Sequence, residues 1–258
     1  MPRANCASRF DLDSVIQWAK MKFAVPLAAC CLLAATGAAD SHNAGSAMFN
    51  SLYAAHDVPL DTDPQSKFWR EATPVYIGVD SHGNPQPRYR SAVRSRWTSD
   101  SLYVSFECPY DELYLNPKPD TLSETNELWK WDVAEIFVGS EFQNIRRYKE
   151  FEVSPQGEWI DLDVDLALPH HEVGWTWNSG FKVAARIDPK TRIWNAAMRI
   201  PFSALDQRTP AAGNKFRVNL FRSQGPPERQ HSLAWKAPLT ETFHTPERFG
   251  ELELIKGR

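Results

Sequence analysis

The chain has 258 residues, of which 42% are hydrophobic and 24% charged, and its formal net charge at pH 7 is −3. Such a composition excludes an intrinsically disordered chain, which is poorer in apolar and richer in charged residues. The acidic balance, with a pI near 6.2, excludes nucleic acid as a partner, because that partner requires a basic surface. The composition therefore indicates a folded globular protein, with ten Trp residues.

Residues 1–39 have the features of a leader. Lys20 and Lys22 precede a short apolar stretch that ends in small residues near Ala38 and Ala39. A positive start, an apolar centre and small residues in this order are typical of a secretory signal peptide. The apolar stretch is too short for a comfortable membrane span. We therefore predict a secreted protein, periplasmic or extracellular, without a membrane span.

Two details of the leader bear on its processing. Met21 is a better start for such a signal than Met1, so residues 1–20 are interpreted as an upstream extension. The run LAAC at 27–30 resembles a lipoprotein cleavage box, but the apolar stretch before it is very short. A lipoprotein is therefore the less favoured alternative.

After the leader we expect a flexible lead-in over residues 40–58 and one domain over 59–258, since no linker or repeat divides the rest. Cys108 is the sole cysteine beyond the leader, so no disulfide can form within the domain. It stands in the apolar run LYVSFECPY and is expected to be a small buried residue.

The domain shows the alternation of apolar and polar residues that β-strands require, and helical periodicity is nearly absent. Alternating runs occur around residues 102–107, 181–188, 194–200 and 216–221, with turn sequences rich in Pro, Gly, Asp and Ser between them. The segment PFSAL at 201–205 predicts one helical turn. We predict an all-β protein, an antiparallel β-sandwich of about ten strands.

Several segments in a fixed order resemble a known family. They are PQSKFWREA (64–72), ELWKWDVAEIFVGS (127–140), YKEFEVSPQGEWIDLDV (148–164), RIPFSAL (199–205), FRVNLFR (216–222), LAWKAP (233–238) and FHTPERFGELEL (243–254). Together they resemble the family 9 carbohydrate-binding modules, in particular the family 9-like exported bacterial proteins. The resemblance covers nearly the whole chain beyond the leader.

The resemblance implies both a fold and a function. It implies a jelly-roll-like β-sandwich that binds carbohydrate without catalysis, with plant-type polysaccharides such as xylan or cellulose, or their oligosaccharide ends, as ligands. Relatives are often appended to xylanases, so a glycoside hydrolase is the implied partner in an exported polysaccharide-degradation system. No cofactor is implied, and we expect a monomer.

The resemblance also implies a set of site residues. Two aromatic rings that clamp a terminal sugar correspond to Trp129 and Phe243, an acid that bonds its hydroxyls corresponds to Glu135, and an amide corresponds to Asn219. These residue types suit the chemistry, because a pyranose packs its C–H face on a ring and its hydroxyls need polar partners. Two of them have a structural alternative: Trp129 can belong to the core, and Glu135 can be one end of an ion pair.

One residue departs from the family pattern. Glu152 stands where those modules place an Arg. Exchanging a cation for a carboxylate leaves three outcomes open: preference for another sugar, binding of a cation, or loss of sugar binding. Trp131 and Asp132, beside Trp129, complete the predicted ligand-binding set.

Other acidic and histidine residues have plain alternatives. Asp161, Asp163 and Asp165 alternate along one strand, an arrangement that could hold a structural calcium ion, although a solvated edge is the favoured interpretation. The neighbouring His170 and His171 point apart on an extended chain and do not predict a metal site.

The sequence contains no recognisable catalytic motif, so we expect a protein that is not an enzyme. Two alternatives remain: an enzyme that acts on glycosidic bonds, and a haem-binding β-sandwich. The haem alternative would use Met198, on an apolar strand face, with His171 or His244.

Overall fold

The computed structural model describes residues 48–168 and 176–257. The predicted leader over 1–39, the first part of the lead-in, and His170 and His171 lie outside the described residues. In the described part, no helix is long and apolar enough to cross a membrane.

The described residues form thirteen strands and two single-turn helices. The strands are β1 Met48–Tyr53, β2 Val75–Ile77, β3 Val79–Asp80, β4 Ser91–Trp97, β5 Ser101–Pro109, β6 Val133–Gly139, β7 Arg147–Val153, β8 Trp159–Asp165, β9 Lys182–Asp188, β10 Ile193–Pro201, β11 Lys215–Gln224, β12 His231–Ala234 and β13 Gly250–Ile255. The helices are α1 Lys67–Arg70 and α2 Phe202–Leu205, the second of which confirms the helical turn expected from PFSAL.

The strands form one continuous sheet that folds over on itself. Hydrogen bonding follows the order β8-β7-β6-β11-β13-β1-β4-β5-β10-β9, with β2 added to β4, and with β12 joining β11 to β3. Side chains from both halves meet in one core, such as Val104 and Trp194 from β5 and β10, and Ile136 and Leu220 from β6 and β11. The predicted all-β sandwich is confirmed, with more strands than the ten expected because β2, β3 and β12 are short.

The alternating runs explain how this core forms. In β5, Leu102, Val104 and Phe106 point into the core, and in β10 Trp194 and Met198 do the same. Burial of such side chains is the main force that holds two sheets together. Cys108 at the end of β5 is fully buried and free, as expected.

The lead-in prediction is wrong from residue 48 onward. Residues 48–53 form β1, which lies between β13 and β4 and pairs in parallel with both. The segment is ordered because Phe49 is fully buried in the core and Ser51 bonds Ser95 of β4. These parallel pairs are also the departure from the purely antiparallel sheet that we predicted.

A second buried layer lies on the outer face of β6, β7, β8 and β11. Val133 and Phe137 of β6, Tyr148 of β7 and Phe221 of β11 pack there beneath the segments that precede β6 and follow β12. The outer face of these strands is therefore largely covered, unlike the solvated outer face of a simple sandwich. The candidate site opens in this covered layer.

Candidate functional site

A cavity of about 510 Å³ opens on the outer face of β6, β7 and β11, and we call it the aromatic pocket. Its lining comprises Trp129, Glu135, Phe137, Glu150, Leu162, Ser223, Gln230, Ser232, Glu241, Thr242, Phe243 and His244. The volume lies in the range of about 300–1,000 Å³ that is usual for small-molecule sites. Trp129, Phe243 and Glu135, which the sequence predicted to converge, thus line one cavity.

Trp129 is held by a tight turn just before β6. Residues Leu128–Lys130 form a single 3-10 turn, preceded by Glu127 in the left-handed region at φ 59°. Leu128 is fully buried beneath the turn and anchors it, and Lys130 forms an ion pair with Glu127. The turn leaves the Trp129 side chain half-buried at the pocket wall.

Phe243 is held by a stack of rings. Its ring lies parallel to that of Phe221 on β11, with centroids 4.1 Å apart and an interplanar angle of 9°. Phe221 in turn meets Phe137 edge to face at 5.0 Å. Because Phe221 and Phe137 are buried on strands, the orientation of Phe243 is fixed before any ligand arrives.

Three glutamates meet at the floor of the aromatic pocket, and we call them the glutamate cluster. Glu135 on β6 stands opposite Glu152 on β7, and Glu150 is two residues before Glu152 on the same strand face. One carboxylate oxygen from each lies within 4.8 Å of the others. All three side chains are buried, and Glu135 and Glu150 also line the cavity.

The burial of the glutamate cluster shifts its titration. Loss of hydration, followed by repulsion from Glu150, raises the pKa of Glu135 well above its usual range. Loss of hydration followed by repulsion from Glu135 and Glu150 does the same to the pKa of Glu152. Burial raises the pKa of Glu150 to about 7. Among the described residues no basic group contributes to these pKa shifts, so they give no support to the ion pair considered for Glu135.

Asn219 does not reach the aromatic pocket. Its side chain is fully buried; its amide donates to the carbonyl of Lys236, and its carbonyl accepts from the backbone N–H groups of Leu220 and Lys236. Those bonds tie β11 to the segment after β12. The predicted ligand-binding amide is thus a structural group.

This placement gives a testable prediction. Asn219→Ala removes three hydrogen bonds and leaves buried backbone groups without partners, each costing about 1–3 kcal/mol. We expect a lower free energy of unfolding in urea, with unchanged ligand affinity of the folded variant under native conditions. A loss of ligand affinity at unchanged stability would show instead that Asn219 contributes to ligand binding.

Trp131 and Asp132 also lie outside the pocket lining. The Trp131 ring stacks on Tyr114 with centroids 4.7 Å apart. Asp132 is fully buried and accepts a hydrogen bond of 2.6 Å from the backbone N–H of Gly225. Burial raises the pKa of Asp132 to about 6. Both residues brace the start of β6, which corrects their prediction as ligand-binding residues.

Several pocket residues escaped the sequence analysis. Glu150 could have been found, because the alternation in YKEFEV places it on the same face as Glu152. Gln230 donates at 3.4 Å to the Trp129 carbonyl, and His244 contacts the Tyr148 hydroxyl at 2.5 Å. These two residues come from loops, whose approach to the sheet no local pattern encodes.

The structure also bears on the two places where the sequence allowed a cation: the row of Asp161, Asp163 and Asp165, and the position of Glu152. Of the Asp row, Asp163 pairs with Lys149 at 2.6 Å and Asp165 with Arg147 at 3.7 Å, while Asp161 accepts from Ser179. The glutamate cluster, and not this row, is the group of acidic side chains that could hold a metal ion within the described residues.

The structure separates Met198 and His244, two of the residues that the haem alternative would use. Met198 is buried in the core between the two halves of the sheet, whereas His244 lies against Phe137 in the outer layer. One side chain therefore lies in the core and the other in the outer layer, so the two cannot bind one haem. His171 lies outside the described residues.

The fold defines a class of protein: β-sandwiches of the carbohydrate-binding-module type. A family 9 carbohydrate-binding module from Caldicellulosiruptor kristjanssonii in complex with cellotriose has a TM-score of 0.60 at 15% identity, over 82% of this chain and 95% of its own. The same module in complex with glucose scores 0.59 at 14% identity, over 81% and 97% of the two chains. A putative carbohydrate-binding protein from Bacteroides uniformis scores 0.61 at 16% identity, over 80% and 98%.

The family follows from the sequence itself. Residues 63–257 match the model of the carbohydrate family 9 binding domain-like proteins, and this chain belongs to that family. A relative described as an extracellular protein of Arthroderma benhamiae is 26% identical in an alignment 182 residues long that covers 66% of this chain and 81% of the relative. The resemblance stated from the sequence is confirmed.

Proposed function

We propose that this chain is an exported, non-catalytic carbohydrate-binding protein whose aromatic pocket takes the end of a plant-type polysaccharide or an oligosaccharide derived from it. The observation that carries the proposal is the convergence of Trp129, Phe243 and Glu135 on one cavity. Membership of the family and the cellotriose and glucose complexes of similar folds support the ligand class. The extracellular relative supports export.

The chemistry of the pocket suits a sugar end. Each face of a pyranose presents C–H groups that pack on an aromatic ring and release water. The hydroxyls at the ring edge need polar partners, and carboxylates accept from them in short, charge-assisted hydrogen bonds. Ser223, Ser232 and Gln230 add neutral hydrogen-bonding groups to the lining. A pocket with two rings and a polar floor can thus hold one sugar by its faces and its edge.

The biological setting in the proposal is polysaccharide degradation outside the cytoplasm, with a glycoside hydrolase as the working partner and cellulose- or xylan-like chains as ligands. In that setting the protein holds chain ends or released oligosaccharides while the partner cleaves. Cleavage of the glycosidic bond is then carried out by the glycoside hydrolase and not by this chain.

The test is calorimetric titration of the purified protein against cello- and xylo-oligosaccharides of increasing length. The buffer contains 2 mM CaCl2, about two-thousandfold above a micromolar Kd for calcium, so that any cation site is filled. We expect affinity to rise over the first few sugar units and then stay constant, since a pocket contacts only the chain end. Reduction of the terminal unit to an alditol shows which end is bound. No binding to any neutral glycan on a broad array would overturn the proposal. Shortening of the oligosaccharides that Glu135→Gln abolishes would establish the enzymatic alternative instead.

A further inference from the structure

The glutamate cluster is the least explained feature of the aromatic pocket. Glu152 is wholly buried, and neither of its carboxylate oxygens has a hydrogen-bond donor as partner among the described residues. Glu135 and Glu150 each leave one buried oxygen without a partner as well. Burying a charge without compensation is costly, so three such groups in one place require an explanation.

Proton sharing explains the cluster only in part. Glu150 and Glu152 are close enough to interact, but two carboxylates form a hydrogen bond only when one of them holds a proton. Sharing one proton still leaves Glu135 beside them with an unpartnered oxygen and no basic neighbour among the groups that influence its pKa. A species that accepts electron pairs from all three at once fits better.

The geometry matches a divalent cation. The three oxygens lie within 4.8 Å of one another. Calcium accepts oxygen ligands at about 2.3–2.6 Å in flexible geometry, whereas magnesium demands a near-ideal octahedron and keeps several of its waters. Three carboxylates held on two strands therefore suit calcium better than magnesium.

Charge favours a divalent ion over an amine. When all three glutamates are deprotonated they carry three negative charges, of which a calcium ion neutralises two and a protonated amino sugar only one. The site is also open on one side, because Glu135 and Glu150 line the cavity, whereas Glu152 does not. Calcium takes six to eight oxygen ligands, as is general for this ion, so positions on the cavity side remain for hydroxyls.

We propose that Glu135, Glu150 and Glu152 bind a calcium ion at the floor of the aromatic pocket, and that vicinal sugar hydroxyls complete its coordination. The second half of this inference rests on the proposed function; the first does not. Sugar binding then depends on calcium.

The cation is tested first, without sugar. Protein treated with EDTA and dialysed is titrated with CaCl2 by calorimetry, and with TbCl3 by luminescence excited through tryptophan, since Trp129 lines the same cavity. We expect one ion per chain and terbium emission that calcium displaces. Glu152→Gln should lower calcium affinity at least tenfold, whereas Asp163→Asn, with the same change of net charge on the neighbouring strand, should leave it unchanged.

Sugar dependence is tested second, with the best oligosaccharide in calcium and in EDTA. We expect at least a tenfold weaker affinity in EDTA, restored by calcium, and no difference in Glu152→Gln. Absence of calcium binding, or terbium emission that survives both Glu150→Gln and Glu152→Gln, would overturn the site. Calcium binding without any sugar binding would support the calcium site but contradict the proposed function. Equal sugar affinity in calcium and in EDTA would show that the ion does not coordinate the sugar.

Discussion

Trp129→Ala lowers the affinity for the bound oligosaccharide about 30-fold. An indole that covers one face of a pyranose removes roughly 50 Å² of apolar surface from water, worth about 1.3 kcal/mol, and ring stacking adds about 0.5–1.5 kcal/mol. The sum is near 2 kcal/mol, and about 1.4 kcal/mol corresponds to a factor of ten in Kd. Calorimetry on the folded variant measures the change.

Phe243→Ala provides the complement to this experiment. If both rings clamp the same sugar, the two substitutions are coupled, and the loss in the double variant differs from the sum of the single losses. Phe243 also stacks on Phe221, so its removal lowers stability as well as affinity. Trp177→Ala is the matched control, because Trp177 is half-buried against Phe151 and Lys149 away from the aromatic pocket. Equal losses in the Trp129 and Trp177 variants would show that tryptophan burial, and not ring stacking on sugar, sets the affinity.

Glu152→Gln stabilises the calcium-free protein by about 1–3 kcal/mol, the usual cost of a buried polar group without a partner. The substitution keeps the shape of the side chain and removes one member of the glutamate cluster. For a domain of this size, that gain raises the melting temperature by about 2–4 °C per kcal/mol. Thermal unfolding in EDTA measures it, with Asp163→Asn, which loses an ion pair to Lys149, expected to be neutral or slightly destabilising.

The pH dependence of this gain has a definite sign. The pKa of Glu152 is raised in the folded state, so the folded protein holds the proton more tightly than the unfolded chain. The wild-type protein in EDTA therefore loses stability as pH rises above about 4.5, the unfolded value, and continues to lose it until the folded pKa is passed. The advantage of Glu152→Gln therefore grows as the pH rises above about 4.5. A gain that is constant over this range would contradict burial as its cause.

The sequence predicted the fold well where burial is periodic. The alternation in 102–107, 194–200 and 216–221 corresponds to β5, β10 and β11, because one face of each strand must enter the core. β1 was missed because the apolar and polar residues of its sequence, MFNSLY, do not alternate and because it follows a polar stretch. Its order comes from hydrogen bonds to two distant strands, which local patterns do not encode.

The site was predicted where the family pattern fixes spacing, and missed where loops decide. Trp129, Glu135 and Phe243 meet as expected, but Asn219 does not join them. Asn219 lies two residues before Phe221 on the same face of β11, at a point where the segment around Lys236 covers the strand. Alternation gives the face on which a side chain lies; it does not give the position of a loop above that face.

The position of β1 between β13 and β4 sets an order of events during synthesis. Met48 pairs with Glu251, so β1 reaches one of its two neighbours only after β13 has emerged from the ribosome. At about 5–20 residues per second, that delay is roughly 10–40 s. Until then the sheet is open between β1 and β11, and apolar side chains of the core are accessible to chaperones. Because β1 and β13 lie far apart in sequence, the sheet closes only after β13 has been synthesised.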